Sequence, residues 1–287
     1  MDLIQAIVDL LGKAATDLPT DIEAALVGAL EAESEPMPTS ILESFIENIR
    51  IARRERRAIC QDTGVPIFFV TAAHNTSYEG LMDVLREGVR RATLEVPLRP
   101  NAVDVLTGAN TGEGVGSGIP VVYFSQWQED YSIFDLLLKG GGSENVGATY
   151  QLPRADLAAQ RDTDGIRRVV LDAVNNAQGL GCPPYVIGVG VAGTKDDACL
   201  LAKRQLLRKL DDKQPQAGLA ALEERIHREI NSLSIGPAGL SGSTTALSVK
   251  IGLHARHPAT FFVDVAFGCW AHRRWRMRFG RGKVSYE

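Results

Sequence analysis

Residues 185–203 read YVIGVGVAGTKDDACLLAK, an apolar run followed by a helical pattern. The run from 185 to 192 carries no charged residue, which predicts a strand buried in the core. Thr194 and Asp197 form a Thr-x-x-Asp start, which predicts a helix from Thr194 to about residue 210. A buried strand that leads directly into a helix favours the α/β class of fold.

Similar patterns extend in both directions along the chain. They predict strands at 65–70, 121–124 and 132–138 and in ALSVKI and TFFVDVAF, and helices at 39–57, 78–93, 165–178 and 219–233. Residues 1–58 form a predicted helical N-terminal segment packed on the main body, because Leu3, Ile7 and Leu10 recur at helical spacing. We therefore expect an α/β fold with a single large body that can divide into two lobes. Its expected parts are 1–58, a main domain at 59–274 and a basic C-terminal tail at 275–287.

The composition is typical of a soluble globular protein and excludes several other classes. The 287 residues are 45% apolar and 23% charged, which excludes disorder or a coiled coil over most of the chain. The net charge of −4 argues against a dedicated nucleic-acid-binding protein. The sequence lacks the long apolar run of a transmembrane helix, and its N-terminus lacks the features of a secretory signal. We expect a cytoplasmic protein in a reducing compartment.

Three of the four cysteines share a local setting. Cys60, Cys182 and Cys269 fall at predicted element ends near glycine or proline, whereas Cys199 lies in a helix and is expected to be a core residue. No Cys-x-x-Cys pair is present, which argues against structural zinc. The three thiols leave three alternatives open: buried thiols without a ligand, one nucleophile with a histidine base, or ligands of an iron–sulfur cube with one open iron.

Two glycine-rich segments allow both a structural and a functional interpretation. GVGVAG at 188–193 satisfies the dinucleotide-binding pattern, with Asp211 about twenty residues on. We favour a structural role for it, because no repeated βαβ pattern surrounds it. The segment KGGGSEN at 139–145 favours an anion site, since consecutive glycines let backbone N–H groups approach a ligand. A flexible turn is the alternative.

Two segments are strongly basic. RIARRERRA at 50–58 is interpreted as a solvated face near the end of a helix. HRRWRMRFGRGK at 272–283 interleaves basic and aromatic residues, as a nucleic-acid-binding arm does. The negative net charge disfavours that function, and we expect a tail that docks on an acidic partner subunit or a solvated end.

Eight segments, taken together, carry a family resemblance. They are CQDTG, PLRPNAV, NTGEGVGSGIP, KGGGSEN, GCPPYVIGVGVAGT, IGPAGLSGSTT, RHPA and GCWAHRR. In this order they resemble class I, iron–sulfur-dependent fumarate hydratases, and they are also similar to the related L-tartrate dehydratase alpha subunit. The resemblance runs from Cys60 to Arg274 and makes 59–274 the expected catalytic domain.

The resemblance implies a cofactor and a set of ligands. Cys60, Cys182 and Cys269 match the three cysteines that hold an oxygen-sensitive [4Fe–4S] cluster, whose fourth iron would bind the substrate. Cys199 matches no ligand position.

The resemblance also implies a substrate site. Gln61 matches a substrate-binding residue, Arg99 an arginine that grips a substrate carboxylate, and Gly142 a glycine in the turn that approaches the substrate. Asp62 and His257 match the catalytic positions. They could form an orienting pair, because a carboxylate can fix the tautomer of an imidazole.

The activity that the resemblance implies is reversible hydration of fumarate to malate, a hydro-lyase reaction of the tricarboxylic acid cycle. Dehydration of L-tartrate to oxaloacetate is the alternative substrate choice. A cluster-free binding or regulatory protein is the alternative class.

The single-chain members of the family continue into a second domain with a Lys-Gly-Asp motif, which is absent here. The resemblance therefore implies an alpha subunit. A beta subunit would complete the active site and supply the catalytic base in an α2β2 heterotetramer.

Overall fold

The computed structural model describes residues 2–287 as a mixed α/β protein. The helices are α1 (Leu3–Thr16), α2 (Thr20–Ala32), α3 (Pro36–Glu55), α4 (Tyr78–Glu95), α5 (Gly141–Asn145), α6 (Thr163–Ala177), α7 (Lys195–Gln205) and α8 (Ala217–Asn231). The strands are β1 (Val65–Ala72), β2 (Val121–Gln126), β3 (Ser132–Lys139), β4 (Ala148–Gln151), β5 (Tyr185–Ala192), β6 (Ala246–Leu253), β7 (Phe262–Gly268), β8 (Arg273–Gly280) and β9 (Lys283–Tyr286). The expected fold class and helical N-terminus are confirmed.

The chain divides into two compact units. Unit 1 contains the residues up to Pro19, Glu47–Gly141 and Arg273–Glu287, and unit 2 contains Thr20–Ile46 and Gly142–His272. One of the divisions falls inside α3. None of the helices formed by residues 2–287 combines the length and the hydrophobicity that a bilayer-spanning segment requires.

Unit 1 is built on a five-stranded sheet in the order β2-β1-β3-β8-β9. Strands β1 and β2 are parallel, and the other neighbours are antiparallel. Apolar side chains of α1 and α4 share one core with the sheet residues Phe68 and Phe134. Gly88 of α4 lets the two helices pack closely, because a β-carbon there would lie 2.5 Å from the Cγ2 atom of Ile7.

Unit 2 is built on a four-stranded sheet in the order β4-β7-β5-β6, in which all residues of β5 are buried. Successive side chains of a strand point to opposite faces. Ile187 and Val189 of β5 lie in the core that includes residues of α6 and α8. Gly188 and Gly190 face α7, and a β-carbon at Gly188 would lie 2.2 Å from the carbonyl oxygen of Ala202.

The position of these glycines inside β5 decides between the two interpretations of GVGVAG. In a dinucleotide fold the glycines form the turn between strand and helix, whereas Gly188 and Gly190 belong to the strand itself. They allow the backbone of α7 to approach the sheet. The structural interpretation is therefore the one that the fold supports.

The predicted strands and helices are present, with ends displaced by a few residues. Thr194 caps α7 as expected, since its Oγ1 accepts a hydrogen bond from the N–H of Asp197 at 3.4 Å. The helix ends at Gln205 rather than near residue 210, and the N–H groups of the next three residues bond to carbonyl oxygens three residues back, as in a tight turn.

The C-terminal basic run differs from the expected tail. Residues 273–286 form β8 and β9 in the sheet of unit 1. The alternation of basic and apolar residues has the period of a strand. Arg276 lies opposite Asp135 of β3 in register, and its Nε donates to Oδ1 of that residue at 2.6 Å. A cross-strand ion pair of this kind stabilises an antiparallel sheet.

Replacing Gly190 with alanine should destabilise unit 2. The added Cβ would lie 2.1 Å from the carbonyl oxygen of Ala198 and 2.5 Å from the backbone nitrogen of Ala202, so α7 would have to move away from β5. We expect Gly190→Ala to lower the free energy of unfolding by roughly 1–3 kcal/mol, as overpacked cores do, measured by urea denaturation.

Gly28→Ala is the matched control for this substitution. Gly28 lies inside α2, and no heavy atom outside the backbone of that helix comes within 4 Å of the added methyl group. The higher helix propensity of alanine should raise the free energy of unfolding by about 0.5–1 kcal/mol. Equal effects of the two substitutions would contradict the close packing of α7 on β5.

Candidate functional site

The turn CQDTG precedes β1 in unit 1 and is organised by the carboxylate of Asp62. Its Oδ1 accepts a hydrogen bond from the N–H of Gly64 at 2.9 Å, and its Oδ2 accepts one from the N–H of Gly141 at 2.7 Å. Gly64 has a φ of +79°, and a β-carbon there would lie 2.9 Å from the backbone of Leu138 and Lys139. Glycine is therefore required at this position by both conformation and space.

The segment that carries Arg99 is tied to the same turn. The Oγ1 of Thr63 accepts hydrogen bonds from the backbone N–H of Arg99 at 2.9 Å and from the Nδ2 of Asn101 at 3.3 Å. Asn101 also donates to the carbonyl oxygen of Gly64 at 3.0 Å. Thr63 and Asn101 therefore fix the backbone of Arg99 beside Cys60 and its neighbours. Sequence reasoning did not single out either residue.

One cavity in unit 1 brings several of the expected site residues together. Its volume is about 350 Å³, and it is lined by Ala58, Cys60, Gln61, Thr63, Pro97, Leu98 and Arg99. A thiol, an amide and a guanidinium thus face one space. The chemistry of this set suits a small anionic ligand, because a guanidinium can bind a carboxylate through two parallel hydrogen bonds.

A buried arginine lies behind the turn that contains Asp62. Arg273 is 2% exposed, and its Nε and Nη1 have no hydrogen-bond partner among residues 2–287. Its Nη2 lies 3.6 Å from the position of a β-carbon on Gly140, and the Oδ2 of Asp62 lies 3.1 Å from that position. Gly140 therefore lies close to both a buried guanidinium and a carboxylate, and a side chain there would crowd them. In the sequence, Arg273 belonged to the basic run and to the segment GCWAHRR, and its burial could not be predicted, since the pairing of β8 with β3 has no local signal.

In unit 2, Cys182 and Cys269 lie near each other at the ends of β5 and β7. The N–H of Trp270 donates to the carbonyl oxygen of Cys182 at 3.0 Å, and the Trp270 ring stacks on that of Phe45 at 4.1 Å between centroids. Cys182 is exposed and has a φ of +60°. Its carbonyl is thus fixed by the residue that follows Cys269.

The hydroxyl of Tyr185 anchors the loop that leads to Cys182. It donates to the carbonyl oxygen of Gln178 at 2.6 Å and accepts from the N–H of Gly181 at 3.1 Å. Burial raises the pKa of Tyr185 to about 12, and the charges of Cys182 and Cys269 as thiolates add to that rise. The sequence indicated for Tyr185 only a place in a buried strand and in the segment GCPPYVIGVGVAGT, not a role for its hydroxyl.

Gly142 and His257 also belong to unit 2. A β-carbon on Gly142 would lie 3.5 Å from the carbonyl oxygen of Leu180, so Gly142 lies beside the loop before Cys182. His257 is exposed, and its Nδ1 accepts a hydrogen bond from the N–H of Ala259 at 3.1 Å. The neutral ring therefore carries its proton on Nε2.

Gly193, the last glycine of GVGVAG, supports the segment that contains His257. A β-carbon on Gly193 would lie 3.1 Å from the Cα of Arg256 and 3.3 Å from the backbone nitrogen of His257. The segment also carries a histidine that sequence reasoning missed, His254, whose Nδ1 lies 2.9 Å from the Oδ1 of Asp197. Its only sequence signal was its nearness to RHPA.

The cysteines that the structure describes do not form the site of a single metal ion. Within residues 2–287, no group of three or more His, Cys, Asp or Glu side chains converges as the ligands of a single ion would. An iron–sulfur cube takes its thiolates on separate irons, so its ligands need not converge on one point. Cys60 lies at an element end in unit 1, and Cys182 and Cys269 lie at element ends in unit 2, all three as thiols. Cys199 is half-buried rather than the core residue that the sequence predicted. Partial burial still raises the pKa of its thiol, which suits an inert cysteine.

Comparison with known proteins identifies the family. Residues 4–278 match the fumarate hydratase (Fumerase) family. The chain is 42% identical over 277 residues to a protein of Geobacillus stearothermophilus named as a class I fumarate hydratase, which covers 95% of this chain and 54% of the relative. The chain thus spans about half the length of that relative.

Two tartrate dehydratase alpha subunits are also similar. The chain is 38% identical over 279 residues to a protein of Methanocaldococcus jannaschii named as an L(+)-tartrate dehydratase subunit alpha, covering 96% of each. It is 32% identical over 278 residues to the L(+)-tartrate dehydratase subunit alpha of Escherichia coli, covering 96% of this chain and 90% of the relative. The matches define a class of hydro-lyases, as the sequence predicted. This chain belongs to the fumarate hydratase family.

Removing the hydroxyl of Tyr185 should change how stability depends on pH. The phenol of an unfolded chain ionises near pH 10, whereas burial raises the pKa of Tyr185 to about 12 in the native protein. The unfolded state loses this proton first, so the free energy of unfolding should fall between about pH 10 and 12. Tyr185→Phe should lessen that fall, measured by urea denaturation at about pH 9.5 and 11.5.

The readout is the change in free energy between the two pH values. The variant also loses the hydrogen bonds to Gln178 and Gly181, which lowers its stability at both values. An equal fall in the two proteins would show that the fold does not hold the phenol of Tyr185 in its protonated form.

Proposed function

We propose that this chain is the alpha subunit of an iron–sulfur hydro-lyase that reversibly hydrates fumarate to malate. The observation that carries the proposal is the cavity that Cys60, Gln61 and Arg99 share in unit 1. It combines an expected cluster ligand with expected substrate-binding groups. The family membership supports the reaction class.

The proposed cofactor is a [4Fe–4S] cluster held by Cys60, Cys182 and Cys269. When bound, a cluster with one iron that lacks a protein ligand supplies a Lewis acid for a substrate hydroxyl or carboxylate. The cytoplasm suits such an enzyme, because a reducing compartment keeps these cysteines as thiols.

Substrate binding is assigned to Gln61, Arg99 and Gly142. The guanidinium of Arg99 would hold one carboxylate of the substrate through a bidentate pair, and the amide of Gln61 would supply a further hydrogen bond. Gly142 lacks a β-carbon, so its backbone can approach the substrate. As the carbon next to a carboxylate loses its proton, charge builds on that carboxylate, and Arg99 would stabilise it.

Asp62 and His257 are the proposed catalytic residues. The two N–H groups that hold the Asp62 carboxylate fix its orientation. The Nε2 of His257 carries the ring proton, because its Nδ1 already accepts from Ala259, and it is therefore the nitrogen through which a carboxylate would hold the ring. We propose that Asp62 orients the imidazole of His257 during the reaction.

A beta subunit is proposed to complete the active site in an α2β2 assembly. The chain spans about half the length of the Geobacillus relative, and the similar tartrate enzymes are named as alpha subunits. The remaining carboxylate-binding residues and the catalytic base are therefore assigned to that partner. Residues 59–274 form the proposed catalytic domain of this subunit.

L-tartrate is the alternative substrate. The similarity to tartrate dehydratase alpha subunits over nearly their whole length favours it. Fumarate is preferred because KGGGSEN resembles the fumarase version of that loop. Co-expression with the beta subunit, followed by anaerobic assays on fumarate, malate and tartrate, tests the choice. Tartrate turnover without fumarate hydration would refute the preferred substrate, and full activity of this chain alone would refute the partner.

Serine substitutions should separate the three proposed ligand cysteines from Cys199. Cys60→Ser, Cys182→Ser and Cys269→Ser should each reduce the visible absorbance and bound iron after anaerobic reconstitution with iron and sulfide, because a thiolate ligand is lost. Cys199→Ser is the matched control and should retain both. Unchanged iron content in any of the first three variants would remove that cysteine from the ligand set. A wild-type chain without a cluster would favour the binding or regulatory protein.

Substitution of Arg99 should weaken substrate binding in the complex with the beta subunit. We expect Arg99→Leu to raise KM by at least about tenfold, because a charge-assisted bidentate pair is lost. Arg99→Lys should be intermediate, since an ammonium keeps the charge but not the fork geometry. Arg90→Leu is the control, because Arg90 is half-buried, lies outside the cavity and is paired with Glu87 and Glu113. Equal KM values in all variants would place the carboxylate elsewhere.

A further inference from the structure

The loop after Arg99 presents apolar side chains to solvent at its tip. Val105 is 96% exposed and Leu106 is 95% exposed, and Val103 beside them is also exposed. We call these three residues the apolar tip. Single exposed apolar residues are common on protein surfaces. A cluster in which two adjacent side chains make almost no contact with the rest of the chain is a feature of interaction sites.

The apolar tip is held in shape by the loop itself. The Oδ1 of Asp104 accepts hydrogen bonds from the N–H of Leu106 at 3.1 Å and from the N–H and hydroxyl of Thr107, each at 2.8 Å. The backbone of Asp104 also pairs with Ala109, and Gly108 donates to its carbonyl oxygen at 2.9 Å. The exposed side chains are therefore presented by an ordered turn, which reduces the entropy lost on binding.

The base of the loop is continuous with the candidate site. The Nδ2 of Asn110 donates to the carbonyl oxygen of Pro100 at 2.6 Å. The N–H of Thr111 donates to the carbonyl oxygen of Ala102 at 2.9 Å. Asn101, at the same base, donates to Gly64 in the CQDTG turn. One hydrogen-bonded segment thus connects the apolar tip with the backbone of Arg99.

We propose that the apolar tip docks in an apolar pocket on the beta subunit and anchors the partner beside the substrate site. The inference rests on the proposed two-subunit function. The side chains of the apolar tip predict an apolar pocket. The neighbouring carboxylate of Asp104 already accepts hydrogen bonds from three donors within the turn. A charged partner surface would gain nothing from Val105 and Leu106.

The size of the apolar tip favours a heterologous partner over a second copy of this chain. A stable interface needs about 20–30 residues on each side, whereas two apolar tips in mutual contact would bury only a few side chains. A short apolar projection instead suits the centre of a larger interface, where anchors fill pockets on the other protein. The partner that completes the site at the base of this loop is the one that fits.

The test measures assembly separately from catalysis. The double variant Val105→Ser/Leu106→Ser and the wild type are each combined with the beta subunit, and the dissociation constant is measured by analytical ultracentrifugation. We expect the double variant to bind at least about tenfold more weakly, because anchor residues account for most of an interface's affinity. Its own fold should be unchanged, since both side chains are solvated before association.

Leu94→Ser is the matched control, because Leu94 is 80% exposed on α4 and outside the apolar tip. It should bind the beta subunit as the wild type does. Equal affinities of the wild type and the double variant would overturn the docking proposal and leave the proposed reaction standing. Loss of self-association in the double variant, with unchanged binding to the beta subunit, would assign the apolar tip to a second copy instead. A wild-type chain that does not bind the beta subunit would overturn both proposals.

Discussion

The cavity of unit 1 depends on the two hydrogen bonds that the carboxylate of Asp62 accepts from backbone N–H groups. Val65 of β1 pairs with Lys139 of β3, so the turn before β1 and the glycine turn after β3 emerge together at one edge of the sheet. Asp62 joins them by accepting from Gly64 and Gly141. Gly140 and Gly141 allow this approach because they have no β-carbons. The N–H groups of Gly141 and Gly64 satisfy a carboxylate that would otherwise be costly to desolvate.

In both units the cysteines proposed as ligands lie at the ends of strands. Cys60 precedes β1, Cys182 precedes β5 and Cys269 follows β7. The hydrogen bonds of a sheet fix where each strand ends. The residues just beyond the strand can then adopt other backbone conformations from a fixed starting point. Within β5, Gly188 and Gly190 lack β-carbons, which lets the backbone of α7 pack directly on the strand.

The sequence predicted the features that have local causes. The buried strand β5, the Thr194 cap of α7 and the setting of the cysteines each follow from a few consecutive residues. The links between distant residues could not be predicted in this way. Strand β8 looked like a tail because its arginines are dense, and the carboxylate that pairs with Arg276 belongs to Asp135 in another part of the chain. The bond between Thr63 and the backbone of Arg99 likewise depends on a fold that brings the two segments together.

The backbone of Cys182 has a consequence for the balance between stability and function. Its φ of +60° lies in the left-handed region, where a residue with a β-carbon is less stable than glycine by about 1–2 kcal/mol. The surrounding contacts, including the N–H of Trp270 on its carbonyl oxygen, maintain this conformation. A glycine would relieve the strain and remove the thiol. The fold therefore accepts a less stable backbone at Cys182 in exchange for a sulfur atom at that point.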